Sequence, residues 1–206
     1  FEEKYKDIKI QTTYDSSGKL QSQIEAGAEV NVFISAAMKQ MNLLNEEGLI
    51  LEDSITELLE NKIVLIVPKD NDKKINTFEE ITKAEKIALG DPESVPAGQY
   101  AKEAFESLNM WDEVLEKASL GTNVTEVLTW VAEGSADAGV VYSTDAASND
   151  KVEVIAEAPK DSVSKVIYPV GVIKSGEKVE QAKIFIEFLK SDEAMKIFES
   201  YGFIES

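Results

Sequence analysis

The 206-residue chain contains no cysteine, no histidine and no arginine. Without cysteine there is no disulfide, no thiol nucleophile and no sulfur-ligated metal; without histidine there is no imidazole base and no nitrogen ligand for a soft metal. Every one of its 21 basic residues is lysine, so the planar guanidinium fork that grips phosphate two-handed is missing as well. No apolar run approaches the roughly 18 residues that a membrane-spanning helix requires. The opening residues Phe1-Glu2-Glu3-Lys4 carry no secretory signal pattern, a neutral observation because a mature secreted chain would have lost it. There is no internal repeat and no low-complexity segment.

Acidic residues are abundant: 39 Asp and Glu against 21 Lys give a formal charge of −18. That balance argues against nucleic acid and against an anionic membrane surface as partners. With 43% hydrophobic residues the chain can bury a core, as one domain or as two small ones.

The most informative stretch is Gly90-Asp91-Pro92-Glu93-Ser94-Val95-Pro96-Ala97-Gly98-Gln99-Tyr100, which follows the short apolar run Ile87-Ala88-Leu89. Two glycines and two prolines mark a turn, and beyond it Tyr100, Ala101, Ala104, Phe105 and Leu108 line one helical face, so a helix is expected over 98–109. The reading is strand, tight loop, helix. A helix starting here leaves its first amides without intrahelical partners, and its dipole adds partial positive charge, so the loop is a candidate anion site needing no charged side chain. An ordinary connecting loop would have the same outline.

Elsewhere the chain alternates strand and helix. Residues 1–6 read as the tail of a helix and residues 8–13 as a strand. Ser16 and Ser17 are placed to cap a helix carrying Leu20 and Ile24 and closing at Gly27. A strand is expected at 30–34 and a helix with Met38, Met41, Leu43 and Leu44 after it. Ser54-Ile55-Thr56-Glu57 fits a capping box, and Thr77-Phe78-Glu79-Glu80 a second one. Ile63-Val64-Leu65-Ile66-Val67, with four β-branched residues in five, reads as a buried strand. Trp111 reads as a packing aromatic. Asn123 is a candidate N-cap with Glu126 three places on and a buried stripe of Val124, Val127, Leu128 and Val131. Strands are expected at 138–142, 152–155 and 166–173, and two amphipathic helices close the chain. Such alternation implies α/β architecture with parallel sheets covered by helices on both faces.

Three segments, QIEAGAEVNVFISA, GDPESVPAGQYAKEAF and AGVVYSTDA, occur in the order and spacing of the periplasmic molybdate-binding proteins of bacterial ABC importers, and the similarity runs to the closing IFESYGF. The chain therefore resembles that family over nearly its whole length. The resemblance implies the type II periplasmic binding protein fold, two lobes about a hinge with two crossings: a discontinuous first lobe of residues 1–66 and 168–206, and a second of 67–167. The implied ligand is molybdate or tungstate, held in the cleft between lobes by the Ser17 hydroxyl and amide, the amides of Ala97 and Val124, and the Tyr142 hydroxyl, with lobe closure as the signal to a membrane permease. No cofactor, no side-chain metal ligand and no catalytic residue is implied. The location is periplasmic or on the outer face of the cell membrane, where a lipid anchor is possible in a longer form. The family begins with a strand bearing a further serine ahead of the position of Phe1, so the resemblance implies an incomplete first lobe, with weakened or absent oxyanion binding, a rearranged first lobe, or compensation by a partner chain through self-association of that lobe.

A tetrahedral dianion accepts hydrogen bonds and offers none, so a shell made only of donors selects it over protonated phosphate, whose O–H would find no acceptor. Each charge-assisted bond contributes roughly 1.5–3 kcal/mol. Two further readings share the fold: capture of another tetrahedral oxyanion such as sulfate, and the ligand-sensing domain of a regulator. The second is disfavoured by the lack of a helix-turn-helix or a basic face. An enzyme would have to use Asp91, Glu93 or Asp145 as acid and base; in a chain with 39 carboxylates such pairs arise by chance, and they read as solvated loop residues.

Overall fold

The computed structural model describes residues 1–206, and the chain divides into two compact units. Unit 1 comprises Phe1–Glu60 and Ile167–Ser206; unit 2 comprises Asn61–Val166. The first crossing thus falls between Glu60 and Asn61, six residues before the expected boundary at 66, and the second one residue before its expected place. The early crossing has a plain cause: the apolar strand at 63–68 is sandwiched between two strands of unit 2 and cannot belong elsewhere.

Unit 2 is built on a five-stranded sheet. Its strands are β3 (Ile63–Pro68), β4 (Ile87–Gly90), β5 (Ala118–Gly121), β6 (Ala138–Tyr142) and β7 (Val152–Glu157), in the order β5-β4-β6-β3-β7. Strands β5, β4 and β6 run parallel, while β3 pairs antiparallel with both β6 and β7. β4 and β6 are buried along their whole length and β3 up to Val67, as near-continuous apolar strands covered on both faces must be. The helices are α3 (Pro96–Ser107), α4 (Trp111–Glu116), α5 (Val124–Ala132) and α6 (Ser143–Ala147). Val127, Leu128 and Val131 of α5 pack onto Val64, Ile66, Ala88 and Val141 of the sheet. Phe78, from a 3-10 segment over Phe78–Lys83, meets Phe105 of α3 at 5.6 Å between ring centroids. Trp111, at the start of α4, is half-buried, with the Lys102 ammonium 5.9 Å from its ring centre.

Unit 1 has a four-stranded sheet in the order β1-β8-β2-β9, made by β1 (Val32–Ile34), β2 (Thr56–Glu60), β8 (Ile167–Val172) and β9 (Ile204–Glu205). All its pairs are antiparallel, so the expectation of parallel sheets holds only for the β5-β4-β6 half of unit 2. On one face Leu58, Leu59, Val170 and Val172 pack against Ala182, Ile186 and Leu189 of α7 (Val179–Leu189) and Met195 of α8 (Asp192–Ser200). A bulge between Glu57 and Leu59 accounts for two successive buried leucines on a strand that would otherwise alternate. The other core joins Ile24 of α1 (Ser17–Glu25), Phe33, Met41 and Leu44 of α2 (Met38–Glu46), Ile50 and Ile173.

Three further expectations are corrected here. Residues 8–13 form no strand and are mostly exposed: extended β-branched residues make a strand only where a neighbour supplies the other half of the ladder. Residues 1–6 form turns, with Phe1 set edge-on to Phe185 and Phe188 of α7 at 5.1 and 5.3 Å. The segment Ser54–Glu57 opens no helix. The Ser54 hydroxyl donates to the Leu51 carbonyl at 2.6 Å and accepts the Val172 amide at 2.8 Å, which delivers the chain into β2.

Candidate functional site

Three of the four sequence-derived site residues lie in unit 2, each at the carboxyl end of one of three adjacent parallel strands or on the connection that follows it. Ala97 follows β4, Val124 follows β5 and Tyr142 closes β6. Carboxyl ends of parallel strands are where open α/β sheets leave room for ligands, because the loops to the covering helices splay apart there. The loops after β4 and β5 are joined directly: Gly90 and Gly121 are register partners, and the Asp91 amide donates to the Gly121 carbonyl at 2.9 Å.

The loop after β4 is locked from within. One Asp91 carboxylate oxygen accepts the Glu93 amide at 3.0 Å and the other the Ser94 hydroxyl at 3.0 Å, while the Asp91 carbonyl accepts the Val95 amide at 2.8 Å. Asp91 therefore shapes the loop, a structural use its sequence position did not reveal. α3 then begins with Pro96 in its first position, where the fixed φ suits a helix and the absent N–H is no loss. The Gly98 and Gln99 amides both turn onto the Val95 carbonyl, at 2.9 and 3.1 Å. Ala97, wholly buried, is left as the first-turn residue whose N–H has no acceptor in the protein.

The start of α5 has the same character. Asn123 is its N-cap, its side-chain oxygen accepting the Glu126 amide at 2.9 Å. The Glu126 carboxylate accepts the Thr122 amide at 2.7 Å and the Thr122 hydroxyl at 3.1 Å, so it is turned to the residue ahead of the cap. Val124 and Thr125 are the amides of this turn that neither group takes up.

Tyr142 is buried at the end of β6, and its ring meets that of Tyr100 in α3 edge to face, with centroids 6.5 Å apart. α6 starts immediately after it. Asp145, in the first turn of α6, is mostly buried; loss of solvent pushes its carboxyl up to about 6, and a hydrogen bond from the Tyr142 backbone amide pulls weakly the other way. No lysine lies in the segments 90–98, 121–128 or 138–145. Any attraction for an anion here must come from oriented amides and hydroxyls.

In unit 1, Ser17 is the first residue of α1 and is buried. Its hydroxyl oxygen accepts the Ala36 amide at 3.0 Å, from the chain just beyond β1, which leaves the hydroxyl proton available to donate. Ser16 occupies the N-cap position as expected, yet its side chain makes no capping bond; its oxygen is buried with no partner. Among His, Cys, Asp and Glu no cluster capable of holding a metal ion is present, and no helix is long and apolar enough to cross a membrane.

These features outline an α/β protein whose candidate ligand contacts are main-chain amides at helix starts and two hydroxyls, and the chain belongs to the family of bacterial extracellular solute-binding proteins, whose profile matches residues 1–204. Within that family the similarity narrows further. The molybdate-binding protein ModA of Haemophilus influenzae is 38% identical over 199 residues, covering 93% of this chain and 77% of its own. The lipoprotein YvgL of Bacillus subtilis, named by inference as an ABC transporter substrate-binding protein, is 47% identical over 203 residues, 98% of this chain and 78% of its own. A solved substrate-binding domain from Clostridium difficile, assigned by inference to a molybdenum ABC transporter, superposes with a TM-score of 0.73 at 42% identity, over 100% of this chain and 91% of that one. The fold is that of the type II periplasmic binding proteins.

Proposed function

We propose that this chain is the extracytoplasmic capture protein of an ABC importer, that it binds molybdate or tungstate, and that it passes the oxyanion to a membrane permease without chemistry of its own. The donors are the Ala97 and Val124 amides and the Tyr142 hydroxyl in unit 2, with the Ser17 hydroxyl and amide in unit 1. The observation that carries the reading is the Ala97 amide, unpaired at the buried start of α3 while the two amides after it share one carbonyl. A dianion that only accepts hydrogen bonds suits such donors, and no positive side chain is needed to hold it.

Four or five charge-assisted bonds at roughly 1.5–3 kcal/mol each support micromolar or tighter affinity after ordering costs. Calorimetric titration with molybdate, tungstate, sulfate and phosphate tests the reading. The first two should bind at least tenfold more tightly than sulfate, and phosphate should not bind. Equal affinity for sulfate would reassign the ligand, and absence of binding to all four would overturn oxyanion capture.

A further inference from the structure

The junction between β6 and α6, where Tyr142 gives way to Ser143, is tied to the start of the unit by one buried side chain. Asn61, 7% exposed, is the first residue of unit 2, and its amide donates to the carbonyl of Val166, the last, at 3.0 Å. Its side-chain oxygen accepts the Lys62 amide at 2.8 Å and the Ser143 hydroxyl at 2.9 Å. Its side-chain nitrogen donates to the Thr144 hydroxyl at 2.9 Å. The Ser143 amide in turn donates to the Lys62 carbonyl at 2.9 Å, one register step beyond the Ile63–Tyr142 pair.

We infer that Asn61 is a positioning residue for oxyanion capture: it clamps the two residues after Tyr142 and thereby fixes the depth and tilt of the Tyr142 side chain. The inference rests on the ligand role given to Tyr142 above. The chemistry asks for asparagine in particular. Two consecutive hydroxyls must be held at once, one as donor and one as acceptor, and a short side chain offering both a carbonyl and an NH₂ does this from a single position. Aspartate keeps the acceptor half and loses the bond to Thr144. The Tyr142 ring itself meets Tyr100, three residues past Ala97 in α3, edge to face. The clamp and the ring contact together hold the Tyr142 hydroxyl in a fixed relation to the Ala97 amide, and hydrogen-bond networks of this kind act as a unit.

The test is a double-mutant cycle read by molybdate titration, with unfolding of the ligand-free proteins followed in parallel. Asn61→Ala should weaken molybdate binding by about tenfold and Tyr142→Phe by at least as much, and the double variant should be no weaker than the worse single one, because Asn61 acts through the group that Tyr142→Phe removes. Asn61→Asp should fall between the unsubstituted protein and Asn61→Ala. A purely structural role would lower the unfolding temperature and give losses that multiply in the double variant; that outcome, or Asn61→Ala binding within twofold of the unsubstituted protein, overturns the inference. If Asn61→Ala does not fold, Thr144→Val, which removes only one partner of the clamp, takes its place in the cycle. Absence of molybdate binding by the unsubstituted chain would remove the function reading and this inference together, whereas binding indifferent to Asn61 removes the inference alone.

Discussion

A Cβ placed on Gly98 would collide with the backbone carbonyl of Gly90, across the loop that carries the Ala97 amide. The contact is with backbone on both sides, so no side chain can swing aside to relieve it. Gly98→Ala should therefore displace the start of α3, destabilising the protein by about 1–3 kcal/mol in chemical denaturation. Molybdate affinity should fall at least tenfold. A variant with unchanged stability and affinity would show that the loop has slack the geometry does not reveal.

Tyr142→Phe keeps the edge-to-face contact with Tyr100 and removes only the hydroxyl. Loss of one charge-assisted bond to the ligand, roughly 1.5–3 kcal/mol, corresponds to about a 10- to 150-fold weaker molybdate affinity. Isothermal titration checks this, and the ligand-free unfolding temperature should move by no more than a few degrees.

The two helix caps should respond in opposite ways. Asn123 holds the Glu126 amide, so Asn123→Ala should cost about 1 kcal/mol. Ser16 sits at the equivalent place on α1 with a buried hydroxyl that bonds nothing, so Ser16→Ala should leave stability unchanged or raise it by up to about 1 kcal/mol. Denaturant unfolding of both variants at one pH decides the comparison.

Asp145 should make stability depend on pH. Its carboxyl titrates at about 6 in the folded protein against 3.8 ordinarily, because burial disfavours the charged form. The folded state holds the proton more tightly, so the group's favourable contribution is complete below about pH 4 and is lost as pH rises through 6. Asp145→Asn should therefore stabilise the protein at pH 7.5, by up to about 3 kcal/mol for a shift of this size, and have little effect at pH 4. A difference in stability between the two proteins that stays flat from pH 4 to 8 would contradict the assignment.

Much of the fold was legible in the chain. The apolar runs at 63–67, 87–89 and 138–142 became β3, β4 and β6 because strands covered on both faces must be apolar without interruption. The helix starts at Ser17, near Ala97 and at Val124 were likewise readable from serines, prolines and an asparagine at the right offsets. Other patterns misled. Ser54-Ile55-Thr56-Glu57 has the letters of a capping box, yet its serine is spent on Leu51 and Val172, a strand neighbour 118 positions away. Residues 8–13 carry strand chemistry and lack a partner.

By itself the sequence determined the kind of chemistry open to this protein. The lack of cysteine, histidine and arginine, with lysine as the only cation, restricts anion recognition to hydroxyls, amides and lysine, and local capping signals show where helix amides begin. Only the tertiary structure decided which of those amides is left over, since that turns on Gly98 and Gln99 sharing the Val95 carbonyl. Strand pairing decided that Ala97, Val124 and Tyr142 follow neighbouring strands, and it brought Asn61 to Ser143 and Thr144 across more than 80 residues. Local patterns record what a residue does to its own backbone; contacts between distant segments exist only once the sheet has set their order.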